Sequence, residues 1–412
     1  MTQKKTAALA LALTLGLSGT ALAAPTPDEL AADAPAAMDI SFRIAAIEAQ
    51  QKELTAQLAA LKAENSKLKS EKAETDKKVD TVKKLQERVK LYGFVRASWD
   101  NDTNRSYGAA WDNEKTNSRY YLNLMADLKI NDEWSGHFQS ETNQRFAHNT
   151  SNDATKTGRL DRDDGTIQRI WLSGNLKNGL QINAGRKWSP LGMQFSLLGC
   201  TTNGIDVSYP ITKQGLRAGA FYYAMAEYPE ADYAIWGPTI SGPIGHNFDI
   251  NLAYAKGNKA KTNVPYGAGT EDNPFGNKAF VISAATNVAK NLRLTADYVQ
   301  TDYTAGAGKD DNNRAFLTRL DYKWTNPSVV GSFSAYLRYH NIQAHGNIWA
   351  DDAWGSILKD SKGWTVGFKY VPWKNIEWET FYQRSDCNMS NPGGGKNPFR
   401  RNLIRTQLDY HF

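Results

Sequence analysis

Cysteine is scarce, with 2 residues in 412. Two thiols cannot build a disulfide scaffold or a Cys-rich zinc module. Long apolar runs are missing as well. Beyond the N-terminus no stretch approaches the roughly 18 apolar residues of a membrane-spanning helix. A mean hydropathy of −0.57 points the same way. Lys and Arg number 49 against 43 Asp and Glu, without a basic block, so the pI near 9.0 marks no nucleic-acid patch. Catalytic motifs are also absent. The 6 His show no H-E-x-x-H spacing, and there is no G-x-S-x-G elbow and no phosphate loop. GGG at 393–395 lacks a following Lys-Ser/Thr and reads as loop. DRDD at 161–164 reads as a solvated loop edge, since Ca²⁺ takes about six to eight oxygens. Neither an enzyme nor a cofactor is expected.

What the chain does carry is polar and rich in aromatics, with 12 Trp, 19 Tyr and 15 Phe. Its first residues read as an address. Lys4 and Lys5 precede the apolar run AALALALTLGL, and Ala21 and Ala23 form a small-x-small site. This predicts a signal peptide over 1–23, cut after Ala23. Residues 24–38, rich in Ala, Pro and Asp, read as a flexible leader.

From residue 39 a seven-residue period takes over. Ile40, Ile47, Leu54, Leu61, Leu68, Thr75, Val82 and Val89 form one row, and Ile44, Leu58 and Val79 lie in the interleaved row. Gln51, Asn65, Lys72 and Gln86 share that second row, where polar residues set register and strand number. No Gly or Pro interrupts 39–92. The pattern predicts a coiled-coil stalk over 39–90, and therefore an oligomer.

Beyond it the period is two. In 117–130, Tyr120, Leu122, Leu124, Ala126 and Leu128 oppose Arg119, Tyr121, Asn123, Met125 and Asp127. In 178–187, Leu180, Ile182 and Ala184 oppose Gln181, Asn183 and Gly185. Such segments have one apolar and one polar face. About sixteen occur between 89 and 412, an even number as closed bacterial barrels require. The connectors alternate in length. Short ones such as 130–133, 175–179 and 372–375 alternate with long polar ones such as 100–116, 146–164, 256–278, 340–362 and 385–400. Outer-membrane barrels have short periplasmic turns and long external loops. The expected fold is an all-β antiparallel transmembrane barrel over 91–412, preceded by the helix.

The last strand alternates Ile404, Thr406, Leu408, Tyr410 and Phe412 to a terminal aromatic. This resembles the assembly signal of bacterial outer-membrane proteins. With the signal peptide, strand count and loop parity, residues 91–412 resemble the outer-membrane porin family. NAGRKWSPLG at 183–192 is similar to a Gly-Arg…Pro-x-Gly stretch of phosphate-selective-type porins. The stalk resembles those of porins that couple trimerisation or cell-wall attachment to such a segment. The resemblance implies a homotrimer, the barrel assembly machinery, lipid and lipopolysaccharide as partners, with peptidoglycan as a further one.

In a barrel the polar faces line the lumen. Alternation therefore places Arg119, Arg145, Arg169, Arg293, Arg319, Arg338, Arg405, Glu141, Asp297 and Asp321 on the pore wall, with His137, Lys323, Lys369, Asp127, Asp249, Glu377, Glu379 and Asp409. Opposite charges can pair across strands there. Lys and Arg outnumber Asp and Glu in 90–412, which predicts a mild anion preference. The segment 187–204 is unusually apolar for an external loop, holding Leu191, Met193, Phe195, Leu197 and Leu198. It is expected to fold inward and place Arg186 and Lys187 at a constriction; a contact between subunits or with lipid is the other reading. Cys200 and Cys387 could pair or stay reduced. The expected function is passive diffusion of small hydrophilic solutes or ions across the outer membrane. A tether to the cell wall with an incidental pore, and a soluble adhesin or lectin, are the alternatives.

Overall fold

The computed structural model describes residues 36–102, 119–145, 167–226, 232–258, 264–266, 269–271, 276–304, 310–349, 356–388 and 398–412. The expected signal peptide and most of the leader lie outside them.

Helix α1 spans Ala36–Arg88, 53 residues, with a length of roughly 80 Å at 1.5 Å per residue. It starts inside the segment read as leader. The heptad seam residues Ile40, Ile44, Ile47, Leu54, Leu58, Leu61 and Leu68 are all exposed. Among the described residues no helix is long and apolar enough to cross a membrane, which says nothing of strands.

The strands are β1 Val89–Asp102, β2 Arg119–Lys129, β3 Trp134–Arg145, β4 Ile167–Asn175, β5 Gln181–Leu191 and β6 Leu198–Pro210. They continue as β7 Arg217–Met225, β8 Ala234–Ile244, β9 Phe248–Gly257, β10 Val264–Tyr266, β11 Gly269–Glu271 and β12 Lys278–Ala289. The last are β13 Leu292–Thr301, β14 Arg314–Tyr322, β15 Phe333–Ile342, β16 Ser361–Trp373, β17 Ile376–Cys387 and β18 Phe399–His411. Sixteen of them form one closed antiparallel barrel, each beside its chain neighbour. The short pair β10–β11 stands apart inside the long β9–β12 connector. Closure comes from β1 against β18, with Val95 opposite Tyr410 and Asp100 opposite Arg405. The backbones of Gly93 and Phe412 exchange two hydrogen bonds of 3.1 Å at the seam.

The alternation is inverted relative to a soluble sheet. Along β16, Ser361, Gly363, Thr365 and Gly367 are buried inside, while Lys362, Trp364, Val366 and Phe368 are exposed outside. Small and polar residues face in because the interior must also hold long side chains and loops. Large apolar residues face out all around: Leu122, Ile205, Tyr222, Ile282, Phe316, Leu337, Tyr382 and Leu408 are exposed.

Short turns join the strands at the end where β1 begins and β18 ends. Asn131, Asn178, Asn291 and Asn375 sit in these turns. Asn291 and Asn375 adopt positive φ, and the Asn131 side chain accepts from the Glu133 and Trp134 N–H groups. The connectors at the other end include the long polar ones, with one correction. The described residues of 340–362 do not form an external polar loop. Asn347, Ile348, Ser356 and Ile357 are buried among the strands, because this connector turns into the barrel.

Candidate functional site

The hairpin β5–β6 leaves the wall. β4 pairs with β5 only as far as Ile170–Arg186, and β6 with β7 only as far as Thr202–Met225. Past these rows β5 and β6 keep pairing with each other, from Trp188–Thr201 to Leu191–Leu198. Ser189, Leu191, Leu198, Cys200 and Thr201 are buried there. One face of the ribbon, with Ser189, Leu191, Leu198 and Cys200, is thus fully buried while Pro190 on the other is exposed, and the hydrogen bonds of its tip to β12 and β13 place it across the barrel interior. The loop itself is therefore 192–197, shorter than the 187–204 read from composition, since its flanks are strand.

Its tip is latched to the far wall. The Gln194 N–H and the Ser196 hydroxyl donate to Asp297 Oδ2 at 2.8 and 2.7 Å, and the Met193 N–H donates to Ser283 Oγ at 3.1 Å. Gly192 has φ +93°, and a Cβ there would lie 2.5 Å from Ser196 Oγ and 2.9 Å from Asp297 Oδ2. Only glycine suits that position. Behind the latch Leu191, Leu197 and Leu198 join Phe221, Tyr223, Ile235, Ala253, Val281, Val299, Leu317, Ile342 and Ile348 in one apolar cluster. The apolar residues of the loop thus have a partner surface, formed by the inner faces of β7 to β15. A recess of about 410 Å³ lies against the tip, lined by Met193, Ser241, Asp249, Asn251, Arg293 and Thr295.

The rest of the inner wall carries ion pairs. Arg96 grips Asp409 with two bonds of 2.5 and 2.6 Å, and Arg405 grips Asp100 with two of 2.6 Å. Arg169 reaches Glu141 at 3.0 Å and Thr201 at 2.9 Å. Lys187 pairs with Asp206 at 2.7 Å, Arg293 with Asp249 at 2.6 Å, and Arg319 with Asp321 at 2.8 Å. Lys369 meets Glu377 at 2.9 Å and Glu379 at 3.6 Å. Several cations also lie over inner-wall rings: Arg96 over Phe94, Lys187 over Tyr223, and Arg319 over Tyr336 at 4.0 Å. Each of these cations has a carboxylate partner, across strands in every case but Arg319, whose partner Asp321 stands on the same strand. His137 bridges Asp127 and Ser173 at 2.7 and 2.6 Å and stacks on Trp171.

Most residues singled out from the sequence stand on the inner rows, but they are not one cluster. Arg169, Glu141, Arg293, Arg319, Asp321, Arg338 and Arg405 are spread over β3, β4, β13, β14, β15 and β18. Arg119 and Arg145 face each other in the β2–β3 register, and their side chains lie outside the described residues. Asp297 is inward but 0% exposed, under the loop rather than open to the lumen. Arg186 requires a correction. It pairs laterally with Ile170, an exposed residue of the outer face, and is itself exposed. Strand alternation sets it with Ile182 and Ala184, so of the two adjacent cations only Lys187 points inward. Missed by the sequence reading were Ser283 and Ser196, which a count of charges could not find, and Arg96, Asp100 and Asp206, whose strand parity could have given them.

Tyr410 and Phe412 are exposed on the outer face at the seam, their rings 6.3 Å apart. Cys200 and Cys387 are buried thiols, not joined to each other. Among the described residues Glu377, Asp409 and His411 have metal-like spacing, but Lys369 and Arg96 already hold the two carboxylates.

No family model and no curated protein match this sequence. Solved structures similar in fold include a Rh. blastica porin mutant, with 12% identity, TM-score 0.47, and coverage of 79% of this chain and 100% of that one. OmpT, an outer membrane protein of Vibrio cholerae in its trimer form, has 10% identity and TM-score 0.48, covering 79% of this chain and 99% of that one. Salmonella typhi OmpF in complex with daunomycin has 13% identity and TM-score 0.49, covering 79% of this chain and 97% of that one.

Proposed function

We propose that this chain is an outer-membrane porin that lets small hydrophilic solutes or ions diffuse passively. The observation that carries the reading is a closed barrel with an apolar, aromatic outside, a charged inside, and a hairpin latched across that inside. A soluble β-protein exposes apolar patches of only a few hundred Å², whereas here the apolar face runs round the barrel. An adhesin or lectin has no use for that surface; a bilayer does. The short-turn end, with both barrel termini, faces the periplasm in this reading, and Tyr410 and Phe412 serve the assembly machinery.

Ion selectivity follows from local pairing more than from the excess of Lys and Arg. Arg96, Arg169, Lys187, Arg293, Arg319, Lys369 and Arg405 each have a carboxylate beside them, which supports a nearly balanced field along the wall. Reconstituted into planar bilayers, the full chain should give ohmic single-channel steps and a reversal potential close to zero in a salt gradient. Absence of steps from folded, heat-modifiable protein would refute the pore.

The same reading includes self-association, with a trimer as the oligomer the family resemblance implies. Two features support it. The α1 seam is exposed along its length. On the barrel, the outer faces of β3 to β6 carry Ser140, Thr142, Ala184, Arg186 and Asn203 among apolar residues such as Ile170, Leu172 and Ile205. An Arg on the lipid face near the midplane costs about 2–4 kcal/mol, a cost that a neighbouring subunit would remove. Ala184→Trp and Arg186→Glu should convert oligomer to monomer on unheated gels. Leu320→Trp, on the outer face of β14, should leave the oligomer intact. Equal behaviour of all three would argue against this interface.

A further inference from the structure

We propose that residues 343–349, from the β15–β16 connector, are a clamp that holds the β5–β6 hairpin in the lumen, so that two loops set the constriction jointly. The proposal rests on the pore reading above and adds a positioning element to it.

The argument begins with an open edge. Where β6 leaves β7, its backbone groups from Cys200 back to Leu198 have no wall partner. Buried N–H and C=O groups must find other partners. They find them on the clamp. The Gly199 N–H donates to Trp349 O at 2.7 Å, and the Ile348 and Trp349 N–H groups donate to Leu197 O at 3.1 and 3.2 Å. Leu198 and Trp349 form a parallel bridge. The clamp is thus a short third strand on the free edge of the hairpin. Its side chains follow: Ile348 is 1% exposed and packs with Leu197 and Leu198 in the apolar cluster.

The clamp is itself fixed to the rim of the barrel. The Gln343 N–H donates to Arg314 O at 3.0 Å and the His345 N–H to Asn312 O at 2.7 Å. Thr301 Oγ1 donates to His345 O at 2.8 Å, and the His345 ring stacks on Tyr303. The hairpin therefore has two separate holds, its tip on Asp297 and Ser283 and its edge on the clamp. Neither alone restrains the whole ribbon. This also explains why a connector with a polar composition carries Ile348 and Trp349.

The test uses the full chain in lipid bilayers, with Met193→Cys as a thiol-reagent probe at the hairpin tip. Trp349→Pro removes the N–H given to Leu197, and Trp349→Phe keeps it. Each net backbone hydrogen bond changes an equilibrium roughly five- to tenfold. Labelling of Met193→Cys should therefore rise by about that factor in Trp349→Pro and stay at the parent rate in Trp349→Phe. Open-channel conductance should rise with it. Only heat-modifiable, folded barrel is scored. Should the proline variant not fold, Ile348→Ala removes the packing alone and should raise labelling in the same direction. A folded Trp349→Pro or Ile348→Ala barrel with parental labelling overturns the clamp. If the parent chain does not conduct, the pore reading fails, while the labelling still decides whether the clamp holds the hairpin.

Discussion

Asp297→Ala should release the hairpin tip and give larger, noisier channel openings than the parent. The side chain is fully buried and accepts from the Gln194 N–H and the Ser196 hydroxyl. Bonds to a charged group are worth about 1.5–3 kcal/mol each. Losing two at the lower figure removes about 3 kcal/mol, roughly a hundredfold in the ratio of docked to released tip. The barrel should survive, because Asp297 lies on a paired strand whose backbone bonds are unaffected. Gly192→Val should act in the same direction for a different reason: its Cβ would collide with the Asp297 carboxylate at a position of φ +93°. Single-channel recording decides. Parental conductance and noise in both variants would mean that the latch does not restrain the path.

Arg405→Met should cost the barrel about 3–5 kcal/mol, the typical penalty for stripping one partner from a buried ion pair. Arg405 and Asp100 have side-chain exposures of 3% and 1%, and two bonds of 2.6 Å join them. They are direct register partners across β18 and β1, the seam that closes the barrel. Without the guanidinium, the Asp100 carboxylate is left in a low-dielectric interior without its cation. Adding Asp100→Leu should recover most of the loss, since replacing both charges by apolar groups of similar size is often neutral. Urea unfolding from lipid vesicles, or the heating temperature at which gel mobility changes, measures this. A single variant as stable as the parent, or a double variant no better than the single, would contradict the argument. Arg96 with Asp409 makes the same kind of link two periods of the alternation away.

Much of this architecture can be read residue by residue. Tyr120 to Leu128 and Ile404 to Phe412 alternate so regularly that their faces follow from parity. The strand count and the length rhythm of the connectors then imply a closed barrel. The same parity places Lys187 inward and Arg186 outward; treating the two as one basic pair ignored it. The inward turn of the β5–β6 connector is also legible, because Leu191, Leu197 and Leu198 need an apolar partner that solvent cannot supply. The β15–β16 connector hid its role. Ile348, Trp349 and Ala350 form one short apolar run between Asn347 and Asp351, and a single such run carries no period.

By itself the sequence determined the local conformations, the face each strand residue presents and the class of fold. These depend on spacing along the chain, which alternation and heptads record directly. The tertiary structure alone decided where the hairpin leaves the wall, which carboxylate receives its tip, which connector covers its open edge, and which cation meets which acid. Asp297 and Ser196 are 101 residues apart, and Asp100 and Arg405 are 305 apart. Contacts at such separations arise only when closure of the sheet brings distant strands around one lumen. Burial then turns ordinary carboxylates and serines into latches, because a polar group cut off from water must bind whatever the fold places beside it.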